Sequence, residues 1–430
     1  MKEQFFGTDG VRGTVGSEPM TADFAMRLAS AAAQVLVPKG GTVVIGKDTR
    51  LSGYMFESAL EAGFVAAGAD VLLLGPLPTP GIARLTQEFD ADLGVVISAS
   101  HNAYYDNGIK FFDPSGSKLT DEIERKIEKR LTDKVMTLES RSLGKAKRID
   151  TARVRYQEFC AASMPKGLDL TGLKIVFDGA NGAAYKVGPR TLGNLGADVI
   201  PIGCSPNGKN INDGCGSTEP SLLKLTVPAL NADVGVALDG DGDRLVMVAE
   251  DGQLIDGDQI LYALTIARHR EATLEGPIVG TVMSNFGLEK ALKSENIEFH
   301  RADVGDRHVL EALRASGGII GGETSGHIIV LDKATTGDGL ISALQVLAIM
   351  KKTGKKLSEL VASMPKYPQI LINVQTKGHL NLKTSTKIQA AVALAEDELA
   401  DNGRVVLRAS GTEPVIRVMV EGEHDDQVDD

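Results

Sequence analysis

The stretch Val234-Gly235-Val236-Ala237-Leu238-Asp239-Gly240-Asp241-Gly242-Asp243-Arg244 runs five apolar residues straight into three aspartates separated by glycine. An apolar run of this kind has no polar face, so it reads as a strand covered on both sides, the mark of a parallel sheet between helices. The acidic loop then falls at the carboxyl end of the strand, where open α/β sheets hold their ligands. The pattern recurs twice: residues 93–97 lead into Ser98-Ala99-Ser100-His101-Asn102, and 319–321 into Gly322-Glu323-Thr324-Ser325-Gly326-His327. Three such junctions predict three similar units whose loops face one shared cleft.

Working outward, the first unit shows strand patterns at 42–45, 70–74 and 93–97, with helical patterns at 22–36 and 54–67. The second offers strands at 174–177, 197–202 and 234–238, the third at 278–282, 297–301 and 319–321. After Pro365 the texture changes, with strands at 369–375, 404–407 and 415–420 around a helix at 384–399. The expected fold class is α/β: three similar α/β domains with mixed or parallel sheets, and a smaller C-terminal α+β domain, around a central cleft. The boundaries read as 1–150, 151–252, 253–365 and 366–430. The last eight residues hold five acids and no pattern, which reads as a solvated tail.

Composition narrows the function classes. A chain of 430 residues is too long for one core, and 43% apolar with 24% charged residues is ordinary globular usage. A net charge of −11 repels nucleic acid and anionic membranes, so neither is an expected partner, and an anionic ligand must meet local basic residues. Cys160, Cys204 and Cys215 are odd in number and lack CxxC spacing, which argues for reduced cytoplasm over a disulfide framework or a zinc site. No signal-like apolar run opens the chain, and the apolar stretch 340–350 falls far short of the ~20 residues that span a bilayer.

The glycines of the acidic loop free the backbone to bring Asp239, Asp241 and Asp243 onto one centre, and hard oxygen ligands in that number suit Mg²⁺ with room for a phosphate oxygen. A lone Asp-x-Asp is more often an acidic turn; six residues of this kind after an apolar strand favour a metal. Glu250 stands at the twelfth position from Asp239, as a calcium hand requires, but 245–248 reads as a strand and no helix follows. Ser100 has a weakly nucleophilic hydroxyl that His101 and Lys110 could activate or hold as a phosphoserine, or it is simply a turn former. Arg12, in Gly7-Thr8-Asp9-Gly10-Val11-Arg12-Gly13, and Arg50, in Asp48-Thr49-Arg50-Leu51-Ser52-Gly53, stay ambiguous, since surface arginines usually do no more than solvate. In the fourth unit Arg408, Ser410, Gly411 and Thr412 combine a guanidinium, two hydroxyls and exposed backbone N–H groups, matching a tetrahedral phosphate, with Arg417 as a second fork; the alternative is a plain hairpin loop. Glu323 and Ser325 offer hydrogen bonds to vicinal sugar hydroxyls, or a capping interaction.

Taken together, these loops resemble the α-D-phosphohexomutase superfamily from residue 7 to 422, with all four family loops in order. Residues 97–112, 211–218 and 408–422 look most like the bacterial phosphoglucosamine mutases. The resemblance implies four domains around a cleft and interconversion of glucosamine 6-phosphate and glucosamine 1-phosphate, through a phosphoserine enzyme and a hexosamine 1,6-bisphosphate, toward UDP-N-acetylglucosamine and peptidoglycan. It carries the phosphoserine onto Ser100 and one Mg²⁺ onto Asp239, Asp241 and Asp243, with Ser100 completing the site. Glu323, Ser325 and His308 fall where the family binds the sugar, and Arg408, Ser410, Gly411, Thr412 and Arg417 where it binds the distal phosphate. Arg12, His101 and Lys110 fall at catalytic positions, with Arg244 and Asn102 in support.

The sequence departs from the family pattern at Ala103 (usually proline), Ala409 (often lysine), Thr324 (glutamine), Glu219 (histidine) and His308 (tyrosine), and Asp430 comes before the helix that usually finishes the fourth domain. The expected partner is a small hexosamine phosphate, and the expected state a monomer or homodimer. The competing readings are a phosphoglucomutase or phosphomannomutase, a non-catalytic sugar-phosphate sensor, and a metal-dependent phosphatase.

Overall fold

The computed structural model of the chain describes residues 5–7, 9–375, 385–409, 415–424 and 428, and arranges their strands in four sheets. In the first, Gly41–Lys47 pairs in parallel with both Ala69–Pro76 and Leu93–Ile97, while Asp106–Phe112 returns antiparallel to Leu93–Ile97. In the second, Lys174–Asp178 pairs in parallel with Asp198–Ile202 and Val234–Leu238, and Leu245–Ala249 returns antiparallel. In the third, Ile278–Thr281 pairs in parallel with Phe299–Ala302 and Ile320–Gly322, and Ile328–Val330 returns antiparallel. The sheets are mixed, as expected, and the strand positions agree with the sequence pattern to within a few residues.

One construction is therefore repeated. A buried parallel strand ends, the chain turns through a short polar loop, and an antiparallel strand brings it back beside itself. The loops so formed are 98–105, 239–244 and 323–327. The strands that feed them, LGVVI at 93–97 and VGVAL at 234–238, are buried throughout, which fixes their register and so the position of each loop. The fourth sheet is antiparallel, ordered Gln369–Gln375, Val415–Gly422, Gly403–Ala409, and its helix Thr386–Leu399 packs on the last of these. Gly403–Ala409 and Val415–Gly422 pair antiparallel, and of the expected phosphate loop Ser410, Gly411 and Thr412 lie outside the described residues.

Two large cores carry most of this frame, with smaller clusters around Leu223 and Leu313. One fills one side of the first unit around Phe24, Ile45, Leu60 and Val95; the other runs continuously from Ile82 and Phe112 through Tyr156, Phe177 and Leu238 to Leu261 and Leu344, joining the first three units. Helix Gly339–Thr353 ties this second core to the acidic loop. Asp338 caps it by accepting from Ile341 N at 2.9 Å and takes the Tyr156 hydroxyl at 2.8 Å, while Gly339 N donates to Gly242 O at 3.1 Å. Among the described residues no helix is long and apolar enough to cross a membrane, and the three cysteines are free thiols.

The acidic loop also rests on a close backbone approach. A β-carbon at Gly182 would lie 2.3 Å from Gly240 O and 2.6 Å from its Cα, so backbone, not a flexible side chain, would have to yield. Gly182→Ala is expected to lower Tm by roughly 2–6 °C through overpacking at this contact; an unchanged thermal scan would show that the loop can shift freely.

Candidate active site

The first three loops meet. Ser100 Oγ donates to Asp239 Oδ2 at 2.6 Å and lies 3.3 Å from His101 Nδ1, so residues far apart in sequence share one buried spot. Ser100 has φ of 51°, a left-handed conformation costing an L-residue roughly 1–2 kcal/mol, and it is only 2% exposed. Such strain, held by its surroundings, is typical of functional turns.

Asp239, Asp241 and Asp243 are all buried, with one carboxylate oxygen of each within 4.8 Å of the others. Asp241 Oδ1 and Asp243 Oδ1 have no hydrogen-bond donor among the described residues. Bare, buried carboxylate oxygens converging in this way are the donor set that a hard divalent cation completes, so these residues fit the expected metal. The loop joins two antiparallel strands, which disposes of the calcium-hand alternative.

The protein offsets the acidic charge from several sides. Lys110, expected as a catalytic group, is buried with Nζ 2.9 Å from both Asp241 and Asp9 and 3.9 Å from Asp243. Burial works against its charge, but Asp241 and Asp9 outweigh that and raise its pKa, so Lys110 stays cationic and is no proton acceptor. Asp241 is correspondingly held well below the usual carboxylate range: burial raises it, and Lys110 overrides the rise. Asp239 is pushed well above that range by burial and by its two acidic neighbours. The N-termini of two helices also abut the loop, since Thr79 N donates to Asp241 O at 2.9 Å and Thr79 Oγ1 to Asp241 Oδ2 at 2.7 Å, while Gly339 reaches Gly242 as above.

His101 is a neutral imidazole at pH 7, because burial, Arg244 and Arg12 lower its pKa to about 4. Arg12 pairs with Asp9 and keeps a buried Nε that has no hydrogen-bond partner among the described residues. Arg244 is half-buried, and its backbone N–H donates to Asp239 Oδ1 at 3.1 Å. Asn102 donates to Asp106 Oδ2 at 3.0 Å and so braces the serine loop.

In the third loop Glu323 Oε1 accepts from Gly305 N at 2.9 Å, at the start of the helix Asp306–Ser316 that carries His308; Ser325 is exposed. Arg408 and Arg417 are direct partners across an antiparallel pair. Like charges so placed repel unless an anion lies between them, which is a physical reason to expect an anion site there.

Several site groups escaped the sequence reading. His327 is buried between Asp243, 3.7 Å from its Nδ1, and Asp306, 3.9 Å from its Nε2; burial lowers its pKa, but the two carboxylates prevail and raise it. Lys118 pairs with both Asp9 and Asp306. Burial raises Asp9, yet Lys110, Lys118 and Arg12 hold it well below its ordinary value. His327 was visible at the end of a quoted loop, whereas Lys118 sits in no motif and Asp9 only gains meaning from its partners.

Comparison with known proteins agrees with this geometry. Successive stretches match the four parts of one family, described as phosphoglucomutase/phosphomannomutase: alpha/beta/alpha domain I at 3–137, domain II at 155–252, domain III at 256–367 and the C-terminal domain at 371–430. The chain is 54% identical to phosphoglucosamine mutase 1 of Shewanella amazonensis, over 99% of this chain and 96% of that one. It is 55% identical to phosphoglucosamine mutase of Aeromonas hydrophila, over 100% and 97%. Among solved structures, a phosphoglucomutase/phosphomannomutase family protein from Burkholderia thailandensis superposes with a TM-score of 0.81 at 25% identity, covering 100% of this chain and 95% of that one. The N-acetylphosphoglucosamine mutase of Aspergillus fumigatus shares the fold with a TM-score of 0.68 at 18% identity, over 99% and 93%.

The triad carries a testable conflict between stability and function. Because Asp239 has a raised pKa in the folded state, its contribution opposes folding at neutral pH, and that opposition is relieved as pH falls through its folded value. Asp239→Asn removes the charge and is expected to raise Tm in EDTA at pH 7 by roughly 2–4 °C. Millimolar Mg²⁺ is expected to raise the Tm of the unaltered protein, and the substitution should abolish that rise. A variant that still responds to Mg²⁺ would remove Asp239 from the cation site.

Proposed function

The chain belongs to the phosphoglucomutase/phosphomannomutase family, and on that premise we propose that it is a phosphohexomutase interconverting glucosamine 6-phosphate and glucosamine 1-phosphate. The observation that carries this is the buried Ser100 Oγ, 2.6 Å from a carboxylate of the aspartate triad. The choice of the amino sugar rests on the curated relatives, more than half identical over nearly the whole chain.

In this reading Ser100 carries the phosphoryl group. Its Oγ–P bond breaks as a sugar hydroxyl forms a new O–P bond, giving a 1,6-bisphosphate; the bisphosphate turns over in the cleft and returns its other phosphoryl group to Ser100. His101, neutral at pH 7 and 3.3 Å from Oγ, is placed to take or return a proton. Mg²⁺ held by Asp239, Asp241 and Asp243 supplies electrostatic stabilisation of the transferring group when bound. Lys110 stays charged and fixes Asp241 in place. Glu323, Ser325 and His308 face the sugar, while Arg408 and Arg417, with Ser410, Gly411 and Thr412, hold the idle phosphate in either orientation. Arg12 and Arg244 add positive charge along the path.

The division at 1–150, 151–252, 253–365 and 366–430 belongs to the same reading and is supported by the four sheets and the four family matches. So does a cytoplasmic setting, which three free thiols favour.

A coupled assay with glucosamine 1-phosphate, glucose 1-phosphate and mannose 1-phosphate side by side tests the assignment, the amino sugar being expected to give the highest kcat/KM. Preference for glucose or mannose phosphate would move the chain to the phosphoglucomutase or phosphomannomutase reading. Ser100→Ala should lower kcat by at least roughly 10³-fold, and the intact mass of the unaltered protein should carry one phosphate that maps to Ser100. Full activity in Ser100→Ala would end the scheme.

A further inference from the structure

Arg50 was ambiguous in sequence, and the structure gives it a specific task. Its side chain is fully buried. A guanidinium has five N–H donors fixed in one plane and does not lose its proton in proteins. All five are used here. Nε donates to Asp48 Oδ2 at 2.8 Å; Nη1 donates to Ala103 O and to Asp106 O, the latter at 3.0 Å; Nη2 donates to Ser100 O at 3.0 Å and Asn102 O at 2.8 Å. Four of the five bonds therefore end on main-chain carbonyls of one short segment, the turn that carries Ser100.

The grip closes from other directions as well. Asp48 accepts from Arg50 N at 2.9 Å and from Ser98 Oγ at 2.6 Å, and Ser98 Oγ in turn accepts from Ser100 N at 2.9 Å. From the second unit, Asn212 Nδ2 donates to Ser100 O at 2.9 Å and Asn102 O at 3.1 Å, the same two carbonyls that Arg50 Nη2 holds. The main chain of Ser100 is thus fixed at both its N–H and its carbonyl, which is what an L-residue at φ of 51° requires to stay there.

We propose that Arg50, backed across the unit boundary by Asn212, is the positioning residue of the phosphoryl-carrying serine. It holds the Ser100 backbone in the one turn that aims Oγ at Asp239, whether or not the serine carries phosphate. This rests on the reading of Ser100 as the carrier and deepens it. A carrier must present its phosphorus at one place through two opposite transfers while its own charge changes, and a turn free to relax would lose in-line geometry and admit water. Lysine cannot substitute, because three donors on a flexible stem cannot bond four carbonyls and a carboxylate in one plane.

The test compares Arg50→Lys and Asn212→Ala with the unaltered protein in three measurements: Tm, kcat and KM for glucosamine 1-phosphate, and the lifetime of Ser100 phosphate without substrate, followed by intact mass. A positioning role is expected to lower kcat by roughly 10- to 100-fold with KM within about 3-fold, Arg50→Lys more than Asn212→Ala, and to shorten the phosphoserine lifetime. If Arg50→Lys fails to fold, Asn212→Ala decides between the outcomes together with Asn212→Gly, which removes the same two bonds and adopts the φ of 57° at this position without the strain alanine would bring. A folded variant with unchanged kcat and unchanged phosphoserine lifetime overturns the proposal. An unaltered protein that is active without phosphate on Ser100 would instead overturn the carrier reading itself.

Discussion

Three carboxylates buried within 4.8 Å of one another set the central constraint of this molecule. Without compensation their mutual repulsion and desolvation would pull the second unit's loop apart. The compensation comes largely from elsewhere in the chain. Lys110 arrives from the first unit, His327 from the third, and the helices starting at Thr79 and Gly339 point their positive ends at the loop from two more directions. Because the first and third units bring Lys110 and His327 to a loop that belongs to the second, these three units are held around the site by the same contacts that prepare it for a cation.

The geometry behind this convergence is economical. A parallel strand fixes where the chain emerges, and an immediate antiparallel return makes the intervening loop short and its ends rigid. Repeating that device in three sheets places serine, aspartates and glutamate at the ends of stiff strands. A site built on strand ends is more reproducible than one on long loops, which suits phosphoryl transfer, where in-line alignment decides rate.

Much of this was legible in the sequence because it is local. The apolar runs at 93–97 and 234–238 and the acidic loop after the second announce themselves within a dozen residues. What stayed illegible is what depends on burial and on distant partners. Arg50 looked like any surface arginine, since nothing in Asp48-Thr49-Arg50 says that four carbonyls from residues 100–106 will close over it. Lys110 read as a group that could activate Ser100 or hold its phosphate, and its two aspartate partners, both more than a hundred residues away, hold it as a fixed charge. Asp9, Lys118 and Asp306 form one chain of charges that no single motif contains.

The described attachment of the fourth sheet is confined to one end of its strands. Glu421, fully buried, accepts from Phe286 N at 2.8 Å and from Arg404 Nε at 2.8 Å, while Arg404 donates to Val282 O at 2.9 Å and Ser284 O at 2.5 Å. Asn285 adds a two-way bond to the backbone of Tyr367, just before the sheet begins. Arg404 and Glu421 are register partners at one end of their strands, and Arg408 and Arg417 face each other near the other. The described tether to the third unit thus holds one end of the sheet, and the guanidinium pair rides at the far end of a lever. With ~3.4 Å per residue, four residue steps along the strand give an arm of roughly 14 Å, so a turn of about 10° at the tether would carry the pair ~2 Å. A turn of that size at the tether would move the guanidinium pair and leave Ser100 in place, because the Ser100 backbone is held by bonds confined to the first two units.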